Sequence, residues 1–175
     1  SMRVAVGSDH AGFDLKEILK AELGTLGHHV TDVGTHDSVT SVDYPDYGAA
    51  VGREVASGDA DLGICVCGTG NGIAMAANKV PGVRAAVVHD VTTAALAGQH
   101  NHANVVCFGA RTTGGTVVVD ALHAFLNAPV EPAERNSRHF RRIEKLKALD
   151  EVTREGAGAG AERELVHHTA PEGTT

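Results

Sequence analysis

The chain has 175 residues, 42% of them hydrophobic, enough for one compact core and a short appendage. A formal net charge of −7, no tryptophan and 3% aromatic residues argue against nucleic acid as a partner and against platforms on which bases stack. No apolar run is long enough to cross a bilayer, and the amino-terminal residues show no basic stretch followed by an apolar one, so we expect a cytoplasmic protein with no membrane partner.

The first apolar run, Arg3 to Gly7, predicts a strand and leads into Ser8-Asp9-His10-Ala11-Gly12. Leu15, Ile18, Leu19, Leu23 and Leu26 then recur at helical spacing until Gly27 stops the helix. A second strand is expected at His29 to Val33 and a helix at Tyr47 to Ser57. The third strand, Leu62 to Cys67, ends in the turn Gly68-Thr69-Gly70-Asn71-Gly72, and a helix runs from Gly72 to Asn78. A fourth strand, Arg84 to Val88, leads into His89-Asp90 and a helix at Val91 to Gln99. The fifth, Asn104 to Phe108, leads into Gly109-Ala110-Arg111 and a helix at Thr113 to Asn127. Strands alternating with helices in this way predict a five-stranded parallel sheet inside a three-layer α/β/α sandwich over residues 2–128, with right-handed crossovers.

Composition shifts after Pro129 and Pro132, and 129–154 reads as an appended segment with a helix over Glu134 to Val152. Arg135, Arg138 and Arg142 fall within an arc of about 60° on that helix, which suits either a solvated charged face or phosphate recognition. Its apolar residues Phe140, Ile143, Leu146 and Leu149 must be covered by something, and another subunit is the expected partner, in a homodimer or a dimer of dimers. Residues 155–175, with Gly-Ala-Gly-Ala-Gly, form a low-complexity tail to which no chemistry is assigned.

Ligands of such sheets sit beyond the carboxyl ends of the strands. There the turn after Cys67 directs backbone N–H groups and the positive end of a helix dipole toward one spot, where negative charge is stabilised. The same field favours thiolate over thiol at Cys67, so the residue is either a base or nucleophile or, as cysteines at strand ends often are, a small packing residue. Three cysteines, Cys65, Cys67 and Cys107, make no disulfide framework and are expected reduced; no zinc-ligand spacing is present, and no metal or cofactor is expected. Asp9 suits either hydroxyl orientation or capping of the next helix. His102 is expected at the surface or in a structural role, and His28, His29, His167 and His168 are expected to face solvent.

Taken together, Ser8-Asp9-His10-Ala11-Gly12, Asp43-Tyr44-Pro45, Cys67 to Gly72 with Ala76-Ala77-Asn78-Lys79, Gln99-His100-Asn101, Phe108-Gly109-Ala110-Arg111 and Arg138-His139-x-x-Arg142 resemble the ribose-5-phosphate isomerase B and galactose-6-phosphate isomerase family, over about residues 2–150. The resemblance implies a Rossmann-like fold and metal-free interconversion of a phosphorylated aldose and ketose through an enediolate. It implies the cysteine subgroup, because Cys67 occupies the position of the base and Ile73 stands where the other subgroup has Glu. By the same correspondence His100 helps open the sugar ring, and Thr69 and Asp9 join Cys67 and His100 in catalysis. Asp9, His10, Tyr44, Thr69 and Asn101 contact sugar hydroxyls, Gly68, Gly70, Asn71 and Gly72 form the anion cradle, and Arg111, Arg138 and Arg142 hold phosphate. The family builds its sites from two subunits. Ribose 5-phosphate is the expected substrate; allose 6-phosphate, galactose 6-phosphate or a tetrose phosphate are alternatives, as are a non-catalytic phosphosugar-binding module and a subunit active only beside a paralogous partner.

Overall fold

The computed structural model describes residues 1–129 and 137–155, with side chains up to Val152, so Pro132, Arg135, His167, His168 and the expected tail beyond Glu155 lie outside the described residues. The elements alternate as the hydropathy pattern predicts: β1 (Arg3–Ser8), α1 (Phe13–Thr25), β2 (His29–Asp32), α2 (Tyr44–Ala56), β3 (Leu62–Cys67), α3 (Asn71–Asn78), β4 (Ala85–Val87), α4 (Val91–Gln99), β5 (Val105–Gly109), α5 (Gly115–Leu126) and α6 (Arg138–Glu155). All five strands are parallel, in the order β2-β1-β3-β5-β4. Among the described residues no helix is long and apolar enough to cross a membrane.

Alternation along each strand divides the core in two. Val4, Val6, Ile64, Val66, Val106 and Phe108 pack under α1, α4 and α5, through Leu19, Ala94 and Leu122. Ala5, Cys65, Cys67, Val105 and Cys107 face α2 and α3, through Val51 and Ile73. Three layers follow, because each sheet face is covered and each helix buries only one stripe. In α1 that stripe is Leu15, Leu19 and Leu23, spaced by four, while Ile18 and Leu26 lie largely exposed.

Helix starts explain the boundary shifts. Pro45, whose fixed φ suits a first turn, lets α2 begin at Tyr44, three residues earlier than apolar spacing alone suggests. Asp90 caps α4 by accepting from the Thr93 N–H at 2.7 Å, and these bonds to Thr93 hold its carboxyl below the usual range. Asp90, at the carboxyl end of the fourth strand, is therefore engaged as a helix cap. Ser137 caps α6 in the same manner, its Oγ accepting from the Phe140 N–H at 3.1 Å.

One buried group defies the apolar pattern. Lys16 is 1% exposed, and its ammonium donates to both Asp32 oxygens at 2.7 and 2.8 Å and to the Thr35 carbonyl at 2.6 Å. Three donors meet three acceptors, which offsets the cost of removing the charge from water. Burial works against ionisation of Asp32, but Lys16, Lys20 and the Gly34 N–H together hold its carboxyl below the ordinary value. His28 is likewise not simply solvent-facing, since its Nδ1 accepts from the Met2 N–H at 3.1 Å.

Candidate active site

The chain reverses direction of winding between β1 and β3: β2 lies outside β1, and β3 lies on its other side. Loops leaving β1 and β3 therefore part, and a crevice opens at their carboxyl ends. Cys67 ends β3 at that point, 4% exposed. Its Sγ accepts from the Gly70 N–H at 3.2 Å. Gly70 adopts φ +82°, where a Cβ is strained, and this turn brings its amide back to the sulfur before α3 begins. The Asn71 N–H donates to Thr69 Oγ1 at 3.2 Å. Two of the five amides from Gly68 to Gly72 are thus committed within the turn.

The other residues at this end are held by backbone contacts to β3. The Asp9 N–H donates to the Val66 carbonyl at 3.3 Å, and Asp9 Oδ1 accepts from the Gly12 N–H at 3.0 Å. This bond closes the turn that precedes α1, whose N-cap is Gly12 with no side-chain cap, and Asp9 is 7% exposed beside the crevice. His10 Nδ1 accepts from the Val42 N–H at 3.1 Å, which makes Nε2 the nitrogen that carries a proton in the neutral ring. Asp9, His10, Tyr44 and the 41–46 segment line a cavity of ≈ 560 Å³. The Tyr44 ring lies over Gly72 so closely that a Cβ there would sit 2.6 Å from it. The Arg111 N–H donates to the Gly68 carbonyl at 2.9 Å, and its side chain runs alongside Gly68. Cys67, Gly68, Thr69, Gly70, Asn71, Gly72, Asp9, His10, Tyr44 and Arg111 are therefore brought together.

The remaining expected residues are elsewhere in the same chain. Helices of a parallel α/β sheet run back against the strands, so α4 carries His100 and Asn101 to the amino end, next to Asn104, whose carbonyl accepts from the Gly63 N–H at 2.9 Å. His100 stacks on His139 of α6, ring centroids 4.2 Å apart and planes within 11°. Farther along α6, Asp150 Oδ2 accepts from the Gly82 N–H at 2.9 Å, in the loop that enters β4. Of the apolar residues expected to need a partner subunit, Ile143 is buried within this chain and Phe140 is half-buried, whereas Leu146 and Leu149 are exposed. His100, Asn101, Arg138 and Arg142 thus form a second group, separated from Cys67 by the length of β3.

Two further residues support these groups: His139, an imidazole one residue past an arginine at a helix start, which stacks on His100, and Val42, which acts through its backbone and so leaves no side-chain pattern in the sequence. The other two thiols serve the core: Cys65 and Cys107 face each other in register, and their hydrogen bond, with burial, pushes the Cys107 thiol up. Among the described residues no three His, Cys, Asp or Glu side chains converge into a group that could hold a metal ion.

The carboxyl ends of β1 and β3 thus gather a thiol under a helix start, a carboxylate, an imidazole, a phenol and a guanidinium around a switch-point crevice, the place where α/β proteins bind small anionic ligands. The model of the ribose/galactose isomerase family matches residues 4–146, and the chain belongs to that family. Ribose-5-phosphate isomerase B of Escherichia coli strain K12 is 41% identical over 149 residues, 85% of this chain and 97% of the relative. The galactose-6-phosphate isomerase subunit LacB of Clostridium acetobutylicum is 42% identical over 145 residues, 83% of each chain. The structure of ribose-5-phosphate isomerase B from Mycoplasma genitalium with bound ribulose-5-phosphate superposes with a TM-score of 0.79 at 41% identity, covering 85% of this chain and 96% of that one.

Proposed function

We propose that this isomerase interconverts ribose 5-phosphate and ribulose 5-phosphate through an enediolate, with Cys67 as the base. The observation that carries the reading is the Cys67 sulfur at the carboxyl end of β3, accepting the Gly70 N–H at the start of α3. An amide donor and the helix dipole stabilise a sulfur that bears negative charge. As thiolate, Cys67 takes the proton from C2 of the open-chain aldose while charge moves onto O1; the thiol then returns a proton to C1, giving the ketose. The amides of Gly68, Thr69 and Gly72 stand as donors to the enediolate oxygens, and Thr69 or Asp9 moves the proton between O1 and O2.

His100 opens the furanose before this step, accepting the O1 proton and supplying one to O4 as the C1–O4 bond breaks. Arg111, Arg138 and Arg142 hold the phosphate, whose fixed position orients C2 toward Cys67. Because His100, Asn101, Arg138 and Arg142 lie at the far end of the sheet from Cys67 in one chain, we assign them to the site of a second copy, so that a homodimer carries two shared sites. The three reduced thiols suit the cytoplasm.

The similarity to the LacB subunit favours a second reading, a galactose 6-phosphate isomerase that needs a paralogous chain. Proton NMR of the purified single chain in D₂O with chelator, offered ribose, allose, galactose and erythrose phosphates in turn, separates the readings. Conversion of ribose 5-phosphate with deuterium entering C1 of the ketose is the expected result. An unchanged sugar identifies a binding module or an incomplete subunit, and a requirement for added divalent metal overturns the enediolate route.

A further inference from the structure

We infer that His139 is a positioning residue for ring opening, holding the plane of the His100 imidazole while leaving both of its nitrogens available to substrate. The inference rests on the reading of His100 as the ring-opening group and deepens it. Ring opening asks an unusual amount of one imidazole. It takes a proton from O1 and gives one to O4, so the direction in which its edge points governs both transfers. Where a carboxylate orients a histidine, it occupies one of the two nitrogens. A partner packed on the ring's face constrains the plane and leaves the edge open, and His139 makes that contact with His100, at 4.2 Å between centroids and 11° between planes.

The contact comes from a fixed support. His100 follows the last turn of α4, where its N–H donates to the Leu96 carbonyl at 2.8 Å, so its backbone is set while its half-exposed side chain has rotational freedom to lose. His139 is the second residue of α6, whose first turn is capped by Ser137, whose Ile143 is buried and whose Asp150 is tied to the Gly82 N–H. Arg138 and Arg142 flank His139 on this helix. The element that offers arginines to the phosphate therefore also sets the imidazole that acts at the other end of the sugar.

The test isolates ring opening from proton abstraction. In Cys67→Ala protein, which lacks the base, saturation-transfer NMR reads exchange between the α and β anomers of ribose 5-phosphate, and titration calorimetry reads its affinity. Adding His139→Ala is expected to slow enzyme-dependent exchange roughly tenfold or more, the scale on which small misplacements act, with affinity within a few-fold. Adding His139→Phe, which keeps a stacking ring and removes its nitrogens, is expected to restore exchange to within about threefold of the Cys67→Ala parent. Exchange unaffected by His139→Ala overturns the inference. So does His139→Phe exchange as slow as that of Ala, which would place the effect in the nitrogens of His139 rather than in its face. Affinity lost in step with exchange would reduce His139 to a structural support for the arginines. A Cys67→Ala parent that exchanges anomers no faster than free solution removes the ring-opening reading itself, and this inference falls with it.

Discussion

Subunit complementation tests the shared site most directly. From Gly63 to Cys67 the third strand advances four residues, about 13 Å at the usual rise, and the His100-Asn101 turn lies beside or beyond the Gly63 end. A five-carbon phosphate cannot bridge that distance while its C2 touches Cys67 and its phosphate meets Arg142 of the same chain. With Cys67 as the proposed base, Cys67→Ala is expected to cost about 10²–10⁴ in rate, and Arg142→Ala, which removes a charged donor, about 10–10² if that donor contributes 1.5–3 kcal/mol. Mixed in equal amounts under exchange conditions, half the dimers become heterodimers. Each then holds one site with both defects and one with none. Activity is expected to rise to about one quarter of the wild-type value per chain, above either parent, if the sites act independently. Native mass spectrometry establishes that exchange has occurred, and a coupled assay of ketose formation reads the recovery. Confirmed heterodimers without recovery would show that Cys67 and Arg142 serve one chain's site and that α6 must reach the carboxyl end of its own sheet.

Further outcomes follow from the same geometry. Cys67→Ala alone is expected to abolish isomerisation while affinity for ribose 5-phosphate stays within a few-fold, since the sulfur acts on a proton rather than anchoring the ligand; a near-normal kcat would remove it as the base. Gly72→Ala places a Cβ 2.6 Å from the Tyr44 ring, which must shift by about 1 Å, so KM should rise roughly tenfold. Thermal stability should hold or improve, because alanine is the better helix residue, and an unchanged KM would mean that Tyr44 does not touch the sugar. Lys16→Met should cost about 2–4 kcal/mol, somewhat less than a typical broken buried pair because Lys20 and the Gly34 N–H still bind Asp32, and calorimetry at neutral pH should show Tm lowered by roughly 10 °C. Asp32 titrates below its unfolded value of about 4, so its stabilisation is complete above that pH and is lost as pH falls through the native value. The gap between wild type and Lys16→Met should therefore narrow below about pH 4, and a gap that widens there would contradict the ion-pair account.

Much of this protein follows from local pattern. Buried parallel strands are continuous apolar runs, and helices that cover them show a stripe of period 3.6, so the five strands and their order along the chain were legible, as was the position of Cys67 before its glycine turn. Helix starts were less legible, because they depend on single caps such as Pro45 and Ser137 rather than on periodicity. Residue types alone could not say that Lys16 is buried, since what permits it is an Asp32 sixteen residues on and a Thr35 carbonyl, which only the packing of α1 on β2 brings within reach. The placement of the candidate residues at two ends of the sheet was hidden for the same reason. His100 and Cys67 look equally eligible in a string of letters, and it is the antiparallel return of α4 against the sheet that sends one to each end. The sequence by itself determined which chemistry is present; the tertiary structure decided which groups share an end of the sheet, because contacts between distant segments depend on topology and no local period encodes them.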